Sequence, residues 1–375
     1  MKRACSNHSQ KRVITSEFHR IPLKIKNYNE MKRAFKLVAA IFVIGILTAG
    51  TTVFAEEKTK EYHETWAASS VQSMEISNKF GEIKVVNEGG SEITIDVVVT
   101  VEARSEKKAN ELLSEIDVNF RKSGSIVKAS TSIANNFKSQ RKFSIDYIVN
   151  IPSDKNLKIT NKYGNTIVNV LTGNGDFQIQ YGNFSANELT GEKMRIALAY
   201  GNADIGSGGN IVAQVKYSPI SFGDIKNLQL QSKYSDISVE EGKDIQVESK
   251  YDKLSFEEVE SVTATTKYSH LRIEELAISL KIETGYGSIK VKQVAPDFEF
   301  ISITNSYGQI SLGLDDASYS IDASCNYCGI SYPENEFSGD RIKENNSRTI
   351  KGKIGDSTGG KVVVHSRYGD IKLSN

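Results

Sequence analysis

The sequence is poor in several residue types, and each shortage excludes a class of protein. Three cysteines and five prolines among 375 residues leave too few cysteines for a fold built on disulfides. No tract rich in proline, glycine or serine and no block of like charge marks a flexible linker. Glycine, with 28 residues, and tyrosine, with 16, are plentiful, which favours turns and strands over long helices.

A secretory signal is predicted at residues 31–55. Lys32, Arg33 and Lys36 give a positive start, an apolar stretch of about 11 residues follows, and Ala55 ends a cleavage site. That stretch is shorter than the roughly 20 residues that span a bilayer, which favours cleavage over a membrane anchor. Residues 1–30 precede a complete signal, so we interpret them as an upstream extension that is not native, with translation starting at Met31.

The charge that remains after cleavage is mildly acidic. Residues 56–375 contain 37 Lys and Arg against 44 Asp and Glu, a net charge of −7. This balance argues against a nucleic-acid partner. We expect an exported protein that is periplasmic, surface-bound or secreted, without a stable transmembrane span.

A recurring aromatic residue marks an internal repeat. Between residues 163 and 327 its copies are 17 to 21 residues apart, and a fixed period near 20 is typical of a solenoid. Helical repeats have longer units, and propeller blades are about 40 residues long. The twelve copies are Phe80, Tyr163, Tyr181, Tyr200, Tyr217, Tyr234, Tyr251, Tyr268, Tyr286, Tyr307, Tyr327 and Tyr368.

Alternation on both sides of the aromatic residue, which we number position 0, predicts strands. Position −4 is apolar in all twelve copies, position +5 is apolar or aromatic throughout, and position +4 is polar in eleven. A period of two means a strand with one buried face. We therefore predict an all-β, single-stranded parallel β-helix of about twelve short coils, each with two main strands and a brief third side.

The residues around position 0 predict a tight turn with polar support. Many copies carry glycine at +1, where a bend needs either a positive φ or a close backbone approach; among them are Gly164, Gly182, Gly201, Gly287, Gly308 and Gly369. Position −2 is often small and polar, as in Ser232, Ser249, Thr266, Thr284 and Asn305. We expect these side chains to hydrogen-bond between coils.

Two inserts interrupt the repeat. Residues 56–156 hold the first coil and a small antiparallel β sheet with one helix, for which Ser105 is the candidate N-cap. We expect this insert to cover the exposed strand edges at the N-terminal end. Residues 157–375 form the solenoid, with a second, polar insert at residues 333–360 that contains a short strand near 349–354.

Three segments resemble a known family: NKFGEIKV from Asn78, IDYIVNIP from Ile145, and GKVVVHSRYGDIKL from Gly360. Together with the helix-bearing insert, they are similar to the bacterial adhesin-like β-solenoid family, whose relatives are the head-GIN-like auto-transporter adhesin domains. The resemblance covers residue 71 to the end. It implies an exported right-handed β-helix and carries over no catalytic residue. Cys328 is at +1 of the Tyr327 copy, where glycine is the usual residue.

Two charged rows recur at fixed positions. The lysines are at −1 of consecutive copies: Lys216, Lys233, Lys250 and Lys267. The glutamates are at +6 and +7: Glu240, Glu257 and Glu274, followed by Glu241, Glu258 and Glu275. Such rows are typical of solvated faces. The functional alternatives are an anionic glycan along the lysines and a hard cation such as Ca²⁺ along the carboxylates.

The remaining chemistry-bearing residues give weaker signals. Asp204, Asp236 and Asp370 are candidates for a polysaccharide lyase or hydrolase, but they occupy scattered positions of the repeat. Histidines 63, 270 and 365 lack metal-site spacing and are interpreted as solvated residues. Cys325 and Cys328 flank a turn, where they either form a disulfide or pack as small residues.

These observations predict a non-enzymatic exported protein without a cofactor. We expect an adhesin or envelope scaffold that binds an extracellular glycan or an envelope protein along one solenoid face. The alternatives are a polysaccharide lyase or hydrolase on the same fold, and a structural envelope protein with no ligand of its own. Fold alone does not decide among them.

Overall fold

The structure is a computed structural model that describes residues 56–315, 317–356 and 359–374, which belong to one compact unit. The predicted upstream extension and signal, residues 1–55, lie outside the described residues. Strands account for 70% of the structure and helix for 4%, which confirms the predicted all-β class. None of the described helices is long and apolar enough to cross a membrane.

The N-terminal part contains the only described α-helix and seven strands. In chain order its elements are β1 (Glu56–Ala67), a 3₁₀ turn (Ala68–Ser70), β2 (Ser73–Lys79), β3 (Ile83–Val86), β4 (Glu92–Ala103), α1 (Glu106–Ser114), β5 (Ile116–Ser123), β6 (Ile126–Ile133) and β7 (Phe143–Asn150).

The central part is an uninterrupted series of parallel coils. Its strands are β8 (Asn156–Lys162), β9 (Thr166–Leu171), β10 (Gly175–Gln180), β11 (Phe184–Leu189), β12 (Met194–Ala199), β13 (Ala203–Lys216), β14 (Pro219–Lys233), β15 (Asp236–Lys250), β16 (Lys253–Lys267), β17 (His270–Tyr286), β18 (Ile289–Val294), β19 (Phe300–Tyr307) and β20 (Ile310–Gly313).

The C-terminal part adds two coils and a hairpin. Its strands are β21 (Tyr319–Asn326), β22 (Ile330–Ser331), β23 (Phe337–Glu344), β24 (Ser347–Ile354), β25 (Gly360–Arg367) and β26 (Ile371–Ser374).

One coil of the central part shows how the repeat folds. In β15, residues 236–239, 241–242 and 244–250 pair in parallel with the matching stretches of β14 and β16. The two longer stretches form opposite walls, and residues 241–242 form a short third side. The turn at position 0 therefore joins the walls at one edge of the solenoid, and the third side joins them at the other.

Alternation places one face of every wall in the core. The residues at −4 and +5 are buried. In β15, for example, Val239 is at +5 of the Tyr234 copy and Val247 is at −4 of the Tyr251 copy, and their neighbours in sequence point to solvent. Position −6 of the repeat is apolar in eleven copies, and Gly175 is the exception for a steric reason. A Cβ there would meet the side chains of Met194 and Phe177 at 2.7 Å, because Phe177 packs against Phe184 across the core at that level.

The coils number about nine turns, counted without interruption from the coil of Tyr163 to the coil of Tyr307. Three further aromatic copies, Phe80, Tyr327 and Tyr368, continue the same stack at its two ends. The prediction of stacked parallel coils is confirmed, and the segments at the ends are assembled differently from the centre.

The N-terminal cap has two parts, where the sequence predicted one antiparallel sheet. Strands β6 and β7 pair in parallel with β2 and β3 and so form one more coil. Antiparallel strands then extend each wall, β5 on β6 and β4 followed by β1 on β7. Ser105 is the N-cap of helix α1, and its Oγ accepts a hydrogen bond from the Lys108 amide at 3.3 Å. Leu112, on the inner face of the helix, is buried.

The C-terminal coils are stacked out of chain order. Strand β25 pairs in parallel with β19 on one side and β21 on the other, and β26 lies between β20 and β22. Residues 360–374 therefore fill a slot between two coils that are consecutive in the chain. The β23–β24 hairpin then covers the outer edge of β21.

Leu373→Ala should loosen both coils that contact the inserted segment. Leu373 is 2% exposed, so we expect a loss of about 2–5 kcal/mol in the free energy of unfolding. Urea unfolding measures the loss, and amide hydrogen exchange should accelerate in β20 and β22. Lys372→Ala, a change at the exposed neighbour, is the control and should stay within about 0.5 kcal/mol of the parent. Unchanged exchange in β22 would contradict the inserted arrangement.

Candidate functional site: the tyrosine edge

The twelve aromatic residues form one continuous stack, which we call the tyrosine stack. Neighbouring ring centroids are 4.6–5.1 Å apart and the ring planes differ by 1–16°. The tyrosines of the stack are 40–57% exposed. Because each inner ring has a neighbour on both faces, the exposed part is the outer edge that carries the hydroxyl.

The turn beneath the stack holds its aromatic residues in left-handed backbone. Ten of the twelve have φ between 53° and 63°, a region that is costly for residues other than glycine. In the other two copies, the positive φ falls on Gly287 and Gly308. Of the two alternatives given for the +1 glycine, positive φ therefore holds only in these two copies. Close approach explains Gly201, where a Cβ would meet the Gly182 carbonyl.

Hydrogen bonds between neighbouring coils hold this turn in place. Where +1 is serine, its Oγ accepts the +1 amide of the previous coil: the Gly201 amide donates to Ser218 at 3.2 Å and the Ser218 amide to Ser235 at 3.4 Å. The predicted −2 side chains are buried, and one pair, Thr266 and Thr284, hydrogen-bonds directly at 2.8 Å.

Asp252 was missed by the sequence analysis and lies at the centre of this network. It is 4% exposed and occupies +1, where its neighbours have serine. Its carboxylate accepts hydrogen bonds from the hydroxyls of Ser232 and Ser249, both at 2.7 Å, and from the amides of Ser235 at 2.7 Å and Lys250 at 3.0 Å. The only sequence signal was a charged residue in a column of small ones.

The four predicted lysines, which we call the lysine row, lie beside the tyrosine stack. They face one another across consecutive parallel strands. The Nζ atoms of Lys233, Lys250 and Lys267 lie 5.2, 5.4 and 5.8 Å from the ring centroids of the following tyrosines, within cation–π range. No described carboxylate forms an ion pair with any of the four.

A shallow groove of 640 Å³ runs along the lysine row. Its second wall is the −3 column, Gln214, Gln231, Glu248 and Thr265. The Gln231 side-chain amide donates to Glu248 at 3.2 Å, so this wall is polar and carries one negative charge. The lysine row, the groove and the tyrosine stack together form what we call the tyrosine edge.

The predicted glutamates lie at the opposite edge, on the short third side. Four carboxylates face one another in register there, and we call Asp224, Glu241, Glu258 and Glu275 the acidic row. Hydrogen bonds from Arg272 and Lys292 hold the pKa of Glu274 below its ordinary value. Among the described residues, no group of three or more acidic, histidine or cysteine side chains is placed to hold a metal ion, so the calcium hypothesis gains no support.

The structure does not bring the three candidate catalytic aspartates together. Asp204 and Asp236 lie in different coils, and Asp236 is 4.0 Å from Lys253. Asp370 lies near the C-terminal end, where it accepts the Gly329 amide at 2.7 Å. Its contact is that of a turn residue.

The histidines and cysteines make local contacts. Each of the three described histidines has a polar partner on a neighbouring strand or coil: His63 with Asp96 (2.6 Å), His270 with Ser288 (2.9 Å) and His365 with Ser324 (2.7 Å). A disulfide joins Cys325 to Cys328 across the Tyr327 turn, with Cα atoms 5.6 Å apart.

Stacked parallel coils with one aromatic edge define a β-solenoid. The chain belongs to the Toastrack DUF4097 family, whose model matches residues 71–374. No curated protein matches the chain.

Three solved structures resemble it at low identity. A candidate cell adhesion protein from Clostridium sporogenes is 10% identical with a TM-score of 0.23, covering 84% of this chain and 99% of its own. Candidate adhesins from Bacteroides fragilis and Parabacteroides distasonis are each 11% identical with TM-scores of 0.27, covering 84% and 82% of this chain and 97% of their own. These values are too low to transfer a function.

Tyr234→Val should be less stable than Tyr234→Gly. Both variants lose two ring contacts, worth about 0.5–1.5 kcal/mol each, but only glycine relieves the left-handed backbone, where φ is 53°. We expect a gap of about 1–2 kcal/mol in the free energy of unfolding, measured by urea denaturation. Tyr286, which lacks a positive φ, is the matched control and should not favour glycine. Equal stabilities at position 234 would contradict the strain argument.

Asp252→Ala should destabilise the central coils. The change leaves two buried hydroxyls and two backbone amides without their hydrogen-bond acceptor. We expect a loss of about 2–4 kcal/mol in the free energy of unfolding. Asp252→Ser restores the acceptor found in neighbouring coils and should recover part of the loss. Thermal or urea unfolding measures both. The role of Asp252 is refuted if the alanine variant is as stable as the exposed control Asp236→Ala.

Proposed function

We propose that the protein is an exported, non-enzymatic β-solenoid that binds an anionic extracellular glycan along the tyrosine edge. The observation that carries this proposal is the lysine row. Like charges directly opposite on neighbouring strands destabilise a sheet, and none of these four has an ion-pair partner among the described residues. A bound polyanion would neutralise the row and remove the repulsion.

The chemistry next to the row suits a sugar polymer. The tyrosine hydroxyls offer hydrogen-bond donors and acceptors at the 4.6–5.1 Å repeat of the stack, and the glutamines of the groove add amides. Ring faces are covered by neighbouring rings, so recognition uses hydroxyls and lysines at the ring edges. A linear polymer fits this arrangement because the same groups repeat along the solenoid axis.

Two further observations support parts of the proposal. The separation of Asp204, Asp236 and Asp370 favours binding over the alternative of a polysaccharide lyase or hydrolase, which needs converging carboxylates. The disulfide at Cys325 and Cys328 fits an oxidising compartment and so supports export. An envelope protein with an acidic surface is the second candidate ligand, favoured by the same lysine row.

Substituting the lysine row by glutamine should weaken glycan binding. We expect the processed chain, residues 56–375, to bind polygalacturonate but not neutral dextran, and to bind less tightly as salt increases because salt screens exposed charges. The quadruple variant of the lysine row should weaken binding more than about tenfold, a change of about 1.4 kcal/mol. Biolayer interferometry on immobilised polymer measures it.

The matched control replaces four exposed lysines elsewhere, Lys107, Lys226, Lys343 and Lys361, by glutamine. It changes the net charge equally and should retain binding. Equal loss in both variants would show that binding depends on total charge and not on this edge. Reducing sugars or unsaturated products released during incubation would overturn the non-enzymatic assignment.

A further inference from the structure

We propose that copies of the protein associate side by side, with the tyrosine edge of one copy against the acidic edge of the next, which is the edge that carries the acidic row. The partner is a second copy of this chain. The proposal goes beyond glycan binding, although both use the lysine row.

The two edges match because the same coils build them. The lysine row and the acidic row each take one residue from the coils of Tyr217, Tyr234, Tyr251 and Tyr268. Parallel pairing gives both rows the same spacing, about 4.8 Å per coil. Four lysines of one copy can therefore face four carboxylates of another in register.

The two edges also lie on opposite sides of the solenoid. The tyrosine turn joins the walls at one edge, and the short third side, residues 241–242 in β15, joins them at the other. Contact between unlike edges is heterologous, so a pair of copies keeps one free edge of each kind. Association is open-ended and produces a ribbon of parallel solenoids.

The charge of the two edges is complementary over these four coils. The acidic edge, residues 223–227, 240–244, 257–261 and 274–278, holds nine carboxylates and two lysines. The tyrosine edge, residues 214–219, 231–236, 248–253 and 265–270, holds five lysines and three carboxylates, and one of the three, Asp252, is buried. Each row repels itself when alone, and pairing the two rows relieves both.

Association of this kind is expected to be weak and sensitive to salt. Exposed ion pairs contribute little individually, and interactions between exposed charges fade beyond about 10 Å at 0.1 M salt. The processed chain should therefore form oligomers at high protein concentration and low salt and return to monomers as salt increases. Sedimentation velocity over a salt series measures the change.

Charge reversal at each edge tests the pairing. One variant changes Lys216, Lys233, Lys250 and Lys267 to glutamate, and the other changes Asp224, Glu241, Glu258 and Glu275 to lysine. Each variant alone should be monomeric, with the dissociation constant raised more than about tenfold. An equimolar mixture should associate again, because one variant is acidic and the other basic at both edges.

Two outcomes would overturn the proposal: a monomeric parent chain at low salt, or variants that associate alone as the parent does. Circular dichroism checks that both variants fold. If one does not fold, the same four positions are changed to glutamine instead of glutamate or lysine. The variant of the acidic row separates this proposal from glycan binding. It should lose self-association while it retains polygalacturonate binding, because its lysine row is intact.

Discussion

Parallel hydrogen bonding between successive coils is the constraint on which the rest of the molecule depends. It sets each coil about 4.8 Å from the next and places equivalent residues directly opposite, as in the pairing of β14 with β15 and β15 with β16. Any residue repeated at one position must therefore lie against its own copies. The apolar core, the tyrosine stack and both charged rows are consequences of that single register.

The tyrosine stack shows how the register resolves a local conflict. The turn needs a left-handed residue, and glycine would accept that conformation without strain. In most coils an aromatic residue, usually tyrosine, occupies the position instead, and in the inner coils ring contacts on both faces offset the backbone cost. The glycine at +1 serves another need, since the turn backbones of neighbouring coils approach too closely for a side chain, as at Gly201.

A sequence pattern predicts a structural feature when the residues that determine the feature lie close together in the chain. Alternation is local and repeated, so the coils, their buried positions and the tyrosine stack could be predicted from it. The insertion of residues 360–374 between the coils of Tyr307 and Tyr327 could not be predicted, because the apolar pattern of this segment fits any coil equally well. The buried role of Asp252 was hidden for a similar reason: burial depends on hydroxyls from neighbouring coils, and the composition of one coil does not contain them.

The same register that stacks apolar groups favourably stacks like charges unfavourably. A globular surface can disperse its lysines and glutamates, but a solenoid repeats them in rows, and at the tyrosine edge the nearest compensation within the chain is cation–π contact with the adjacent rings. Such contacts offset a part of the repulsion at exposed sites. In both of our proposals the larger compensation comes from outside the chain, and a linear array of charge favours a linear partner. A polyanion or the acidic row of a second copy satisfies that geometry, whereas a small ion neutralises only one coil at a time.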